Sequence, residues 1–189
     1  MRKKQIIAIF AAAVLGAASL TACTGGQSGS EQTQAETEVQ KIVNLEDIHT
    51  AIKEAYGENY VPNSALDAEM LEALTGIKAD QYTEFFAETP MISTFVETVI
   101  GIKASEGNAD KVEEALNAYR DNLVKDTMQY PMNVPKIQAS QVVRHGDYIF
   151  FVMLGAPTDE SMEEGEEAAL ESAKENNQKA IDVIDGFFK

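Results

Sequence analysis

Cys23 is the only cysteine of the 189-residue chain, and its sulfur is the most nucleophilic side-chain atom the sequence offers. His49 and His145 are the only histidines, so they alone have side chains with ordinary titration near neutrality. Hydrolysis at neutral pH needs a nucleophile beside a base, two carboxylates with separated pKa values, or a metal-bound water. None of these is spelled out locally. There is no Gly-x-Ser-x-Gly elbow, no Gly-rich phosphate loop ending in Lys-Ser/Thr, and no Gly-x-Gly-x-x-Gly after a strand pattern. No His/Cys/Asp spacing suits zinc. The expectation is therefore no catalytic, cofactor-binding or metal-ligating residue, and no cofactor. His49 falls off the apolar line of its helix pattern and His145 falls in a turn, so both are expected to face solvent. Six acids from Asp159 to Glu167 crowd one stretch. A helix would spread them outward, whereas calcium wants six to eight oxygens folded around it. Tyr82, Phe85, Phe86 and Phe95 can line a groove, but core packing is the expected role.

The surroundings of Cys23 give its chemistry a direction. Arg2, Lys3 and Lys4 precede an apolar run from Ile6 to Ala18, and small residues follow. That order is a secretory signal. The run falls short of the roughly 20 residues that a spanning helix needs. Leu20-Thr21-Ala22-Cys23 resembles the lipobox of bacterial lipoproteins. The resemblance implies cleavage before Cys23 and lipidation of Cys23 with a diacylglyceryl group. One acyl chain holds a protein only marginally, and two give stable attachment. The alternatives are an uncleaved signal anchor and a plain secretory signal with an unmodified Cys23.

With 15 basic and 31 acidic residues the formal charge is −16. Cleavage would remove three bases and no acid, leaving the chain more acidic still. Such a surface repels phosphate backbones and anionic headgroups. No nucleic acid partner is expected, and membrane attachment falls to the lipid anchor. The segments read as a lipoprotein-type signal peptide over 1–22, the lipidated cysteine and a flexible Gly/Ser/Gln/Thr-rich tether over 23–41, and one domain over 42–189.

Within that domain Asn44 can cap a helix whose apolar side is Leu45, Ile48 and Ile52, ended by Gly57. Ser64 can cap a second helix carrying Leu71 and Leu74, stopped by Gly76. Tyr82 to Glu88 and Phe95 to Lys103 read as strands. A long helix spans about 109–128. Gln138 to Leu154 reads as a hairpin with His145-Gly146 at its tip and Arg144 facing Asp147. Tyr148 to Leu154 is apolar on both parities, the pattern of a central strand covered on both sides. Thr158 can cap a final helical stretch that reaches Phe188. The fold class expected is α+β: a mainly antiparallel sheet of about four strands packed with amphipathic helices.

The segment from Phe95 to Ala104, the helix Ala109-Asp-Lys-Val-Glu-Glu-Ala-Leu-Asn-Ala-Tyr-Arg120, Tyr130-Pro131, Val142-Val143 and Gly146-Asp147-Tyr148-Ile149 together resemble a domain family of unknown function, number 4358. That family is found in lipoproteins of Gram-positive, chiefly clostridial, bacteria. The resemblance implies an extracytoplasmic protein anchored to the cell membrane, and no known activity. The function expected is a non-enzymatic binding or accessory lipoprotein, whose partner is an envelope protein or envelope component. A cell-envelope hydrolase and a structural module of an envelope complex are the competing readings. A cleft with perturbed carboxylates would favour the first of these, and a large exposed apolar patch the second.

Overall fold

The computed structural model describes residues 43–189. The signal segment, Cys23 and the tether lie outside the described residues. Five strands form one antiparallel sheet: β1 (Ser64–Ala65), β2 (Tyr82–Thr89), β3 (Thr98–Ala104), β4 (Gln141–His145) and β5 (Tyr148–Met153), in the order β1-β2-β3-β5-β4. The α+β expectation holds, with one strand more than the four or so counted. The extra strand is β1. Ser64 and Ala65 pair with Thr89 and Glu88 rather than starting a helix.

Alternation sorts the side chains into two cores. On one face Val99, Tyr148, Phe150 and Val152 meet α1 (Leu45–Tyr56) and α6 (Glu166–Phe187) through Ile48, Ile52, Ala180 and Ile184. On the other, Ile100, Ile102, Ile149 and Phe151 meet α2 (Ala68–Thr75) and α3 (Ala109–Lys125) through Leu71, Val112 and Leu116. Every residue of β5 is buried, which explains why its sequence carries no polar residue on either parity.

Local signals account for most boundaries. The Asn44 side chain accepts from the Glu46 amide at 2.8 Å, capping α1. Asp67, not Ser64, caps α2, accepting from the Met70 amide at 2.8 Å. Thr158 caps the short α5 (Asp159–Glu164) as expected. The helix expected over about 109–128 stops at Lys125, where Asp126 turns extended. A further short helix, α4 (Val134–Ala139), then contacts both α3 and α6.

The hairpin differs by one register step from its expectation. Arg144 pairs with Ile149 and His145 with Tyr148, so Gly146-Asp147 form the tip. Gly146 supplies a φ of 62° there. Freed from a cross-strand role, Arg144 reaches Asp110 and Glu113 of α3, each at 2.7 Å. A glycine also matters at mid-sheet. A Cβ on Gly101 would lie 2.2 Å from the Phe86 ring, so only glycine lets that ring lie across β3.

The sheet has two unlike ends. At the hairpin end the Tyr148 hydroxyl donates to the Val43 carbonyl and accepts from the Val43 amide, which fixes Val43 at that end. At the other end lie the β2–β3 loop, the start of β4 and the exit from β5. The buried Asn177 of α6 holds that end together. Its Oδ1 accepts from the Leu154 amide, and its Nδ2 donates to the Ala139 carbonyl.

Candidate functional site

α1 and β2 bring four polar side chains to one place. Along α1, His49 and Lys53 lie four residues apart at the margin of the apolar stripe. On β2, Glu88 shares a parity with Phe86 and therefore faces α1. Tyr60 arrives from the turn after α1. The Lys53 ammonium donates to Glu88 Oε1 at 2.7 Å, and the Tyr60 hydroxyl donates to Oε2 at 2.9 Å. His49 Nε2 lies 3.2 Å from the same oxygen and 3.3 Å from the Tyr60 hydroxyl. The Phe86 ring stacks on the imidazole with centroids 4.3 Å apart, in the space that Gly101 leaves.

This corrects the expected placement of His49: it is 6% exposed. Burial lowers its pKa by disfavouring the imidazolium, and that effect outweighs the attraction of Glu88. For Glu88, burial pushes the carboxyl up, but the bonds from Lys53 and Tyr60 and the nearby His49 hold it below its ordinary range. Burial raises the Tyr60 hydroxyl, and donation to a carboxylate adds to that.

The cluster borders a hollow of about 330 Å³, which Glu46, Ala65, Leu66 and Phe85 help to line. The hollow is lined by no Ser, Thr or Cys, so no side-chain hydroxyl or thiol nucleophile faces it. Glu88 already accepts from two strong donors and lies beside a third group, which leaves it a weak base. Lys53 is half exposed and is the cation facing the hollow. The geometry suits holding a small molecule with an acceptor group over an apolar floor better than it suits proton transfer.

His145 also departs from expectation. Its Nε2 lies 2.9 Å from Asp185 Oδ1, and its ring stacks on Phe188 with centroids 4.4 Å apart. The orienting acid missing from the local sequence is supplied by α6, 40 residues on. The pair pins the end of α6 to the hairpin. The four aromatics divide. Phe86 is buried, Tyr82 and Phe85 are partly buried against each other, and Phe95 stays 37% exposed. The acids Asp159 to Glu167 are exposed along α5 and the start of α6, as expected. Among the described residues, no group of three or more His, Cys, Asp or Glu converges on a point that could hold a metal. The cluster of His49, Lys53, Tyr60 and Glu88 was missed from sequence. The only local hint was the shared parity of Phe86 and Glu88.

The fold and this site define an antiparallel α+β domain with a polar pocket between its first helix and second strand. The chain belongs to the family described as Domain of unknown function (DUF4358), whose model matches residues 55–154. The match covers β1 to β5, Tyr60 and Glu88, but not His49 or Lys53. No curated protein and no solved structure matches the chain.

Proposed function

We propose that this chain is an extracytoplasmic lipoprotein that works by binding, held to the cell membrane by a diacylglyceryl group on Cys23. One observation carries the reading: Cys23 follows Leu20-Thr21-Ala22 behind a basic start and a short apolar run. No helix among the described residues is long and apolar enough to cross a membrane, which is compatible with attachment by lipid. The Gram-positive envelope is the setting that the family resemblance suggests. Anchoring confines the domain near the membrane and raises its effective concentration for neighbours there. Replacing Cys23 with Ala is expected to release the protein from membranes or leave it unprocessed. Mass spectrometry and fractionation read the outcome, and unchanged mass and partition would refute it.

A cell-envelope hydrolase is the second reading. His49 beside Glu88, with Glu46 on the same hollow, is the observation that favours it. It predicts turnover of peptidoglycan, peptide or ester substrates that Glu46→Gln or Glu88→Gln abolishes without unfolding. The binding reading predicts no turnover with any of the three.

A further inference from the structure

The end of the sheet remote from Val43 carries an unusual surface. Two loops meet there, residues 90–97 between β2 and β3 and residues 126–133 between α3 and α4. They are clamped together from below. Lys136 and Glu97 form an ion pair at 2.5 Å, with side chains 6% and 3% exposed, and the Lys136 ammonium lies 5.7 Å from the centre of the Phe95 ring. Asn133 Nδ2 donates to the Thr94 carbonyl at 2.9 Å, while its buried Oδ1 has no partner among the described residues.

Above this rigid base the side chains are apolar and open to solvent. Met91 is 75% exposed and Met128 is 89% exposed, with Ile92, Tyr130 and Met132 beside them in the same two loops. Residues 89–96 and 127–135 contain no charged residue in a chain that has 46 of them (15 basic and 31 acidic). Methionine and tyrosine are the side chains that recognition surfaces favour, because one adapts its shape and the other pairs a large ring with a polar tip.

The same end carries dense negative charge. Gly155, just past β5, lies so near α6 that a Cβ would sit 2.0 Å from the Ala173 carbonyl. The far end of α6 is fixed at the hairpin through Asp185 and His145. The first turns of α6, with Glu166 and Glu167, therefore run out past the end of β5, and α5 adds Asp159, Glu160 and Glu163. An uncharged apolar centre at the same end as exposed carboxylates has a definite complement.

We propose that this end is a docking surface for a protein that presents an apolar groove edged by lysine or arginine. A lipid surface is a poor occupant, because anionic headgroups would meet the carboxylates of α5 and α6. A second copy would set those acids against their like. The position also fits the tethered reading, on which this proposal rests for its setting alone: the chain enters at the hairpin end, and the docking loops lie at the opposite one.

The test uses the full-length chain in its own membranes, with a photoactivatable phenylalanine analogue at Met128 and, as a control, at Asp147 of the hairpin tip. The Met128 probe is expected to give a protein adduct that falls several-fold between 50 and 500 mM salt. It should fall at least about tenfold in Met91→Ser/Ile92→Ser, whose replaced side chains are exposed and leave the melting temperature unchanged. Glu163→Lys/Glu166→Lys should weaken it several-fold. An adduct to lipid, an adduct of twice the chain's own mass, equal labelling from Asp147, or indifference to the loop variant would each overturn the proposal. Cys23→Ala separates the two readings. If that variant stays in the membrane, the tether fails while the adduct still decides the docking surface. If it is released but labels the same protein when mixed with its membranes at raised concentration, both stand.

Discussion

Glu88 shows how one strand residue can gather partners from a single helix and the turn that follows it, far away in the chain. Lys53, Tyr60 and His49 converge on its carboxylate, and its folded pKa is lowered. His49 is lowered too, from an ordinary value of 6.5. Both groups bind protons more weakly in the folded chain than in the unfolded one, so stability must rise with pH. The part due to His49 is complete above 6.5 and is lost as pH falls through its lowered folded value. The part due to Glu88 is complete above 4.5 and is lost further down, as pH falls through its own. Urea denaturation from pH 7.5 down to about 2.5 should show this two-part decline, and His49→Gln should flatten the upper part. An unchanged slope would mean that His49 is not buried as described. Glu97 and Lys136 make a different kind of pair, because neither reaches water. Removing one partner leaves a lone buried charge. Glu97→Ala should cost about 3–5 kcal/mol, whereas Glu97→Met with Lys136→Met should recover most of that loss. Equal losses in the single and double variants would contradict the pairing.

At the scale of elements, β5 is the strand on which both cores depend. Phe150 and Phe151 point to opposite faces and both are fully buried. Truncating either to Ala should cost about 3–5 kcal/mol, read as a fall in denaturation midpoint at constant slope. The two losses should add to within about 0.5 kcal/mol if the faces are independent, and strong coupling would argue against two separate cores. β3 allows a subtler test. Gly101→Ala places a methyl where the Phe86 ring lies, so the ring must leave its stack on His49. Overpacking of this kind costs about 1–3 kcal/mol. Adding Phe86→Leu should restore part of it, because a smaller side chain no longer fills the space over Gly101.

At the scale of the whole domain, the two ends of the sheet differ in character. α1 begins and α6 finishes at the hairpin end, where Tyr148 holds Val43 and His145 holds Asp185. The opposite end gathers the loops, the exposed methionines and the acids of α5 and α6. A domain so arranged can be held from one end and engaged from the other, the arrangement that the proposed tethered binding role would use. The polar hollow lies between α1 and β2, on one of the two helix-covered faces. Moderate salt should therefore weaken the proposed docking at the loop end while leaving the Lys53–Glu88 contact at the hollow's wall largely intact, because that contact is short and partly shielded.

The sequence by itself determined most of the long elements and the faces they bury, but not β1 or α4. Period-two alternation in Phe95–Lys103 and the double-sided apolar run of Tyr148–Leu154 are consequences of local geometry; they located β5 and all of β3 but its start, since Phe95–Glu97 belong to the β2–β3 loop and the strand begins at Thr98. Asn44, Gly57, Gly76 and Thr158 mark helix ends because capping acts within a few residues. Local chemistry could not choose between Ser64 and Asp67 as a cap, since both are competent; pairing of Ser64 with Thr89 decided it. Nor could it find a partner for either histidine. Glu88 is 39 residues from His49 and Asp185 is 40 from His145, and each becomes a neighbour only when a strand or a helix returns across the sheet. The same holds for the loop end. Met91, Met128 and the acids after Thr158 look unrelated in the chain. They come to one end because antiparallel pairing places the start of β3 beside the end of β5, and the Glu97–Lys136 pair locks the loops together. Distances along the chain set what each residue can do alone; topology set which of them meet.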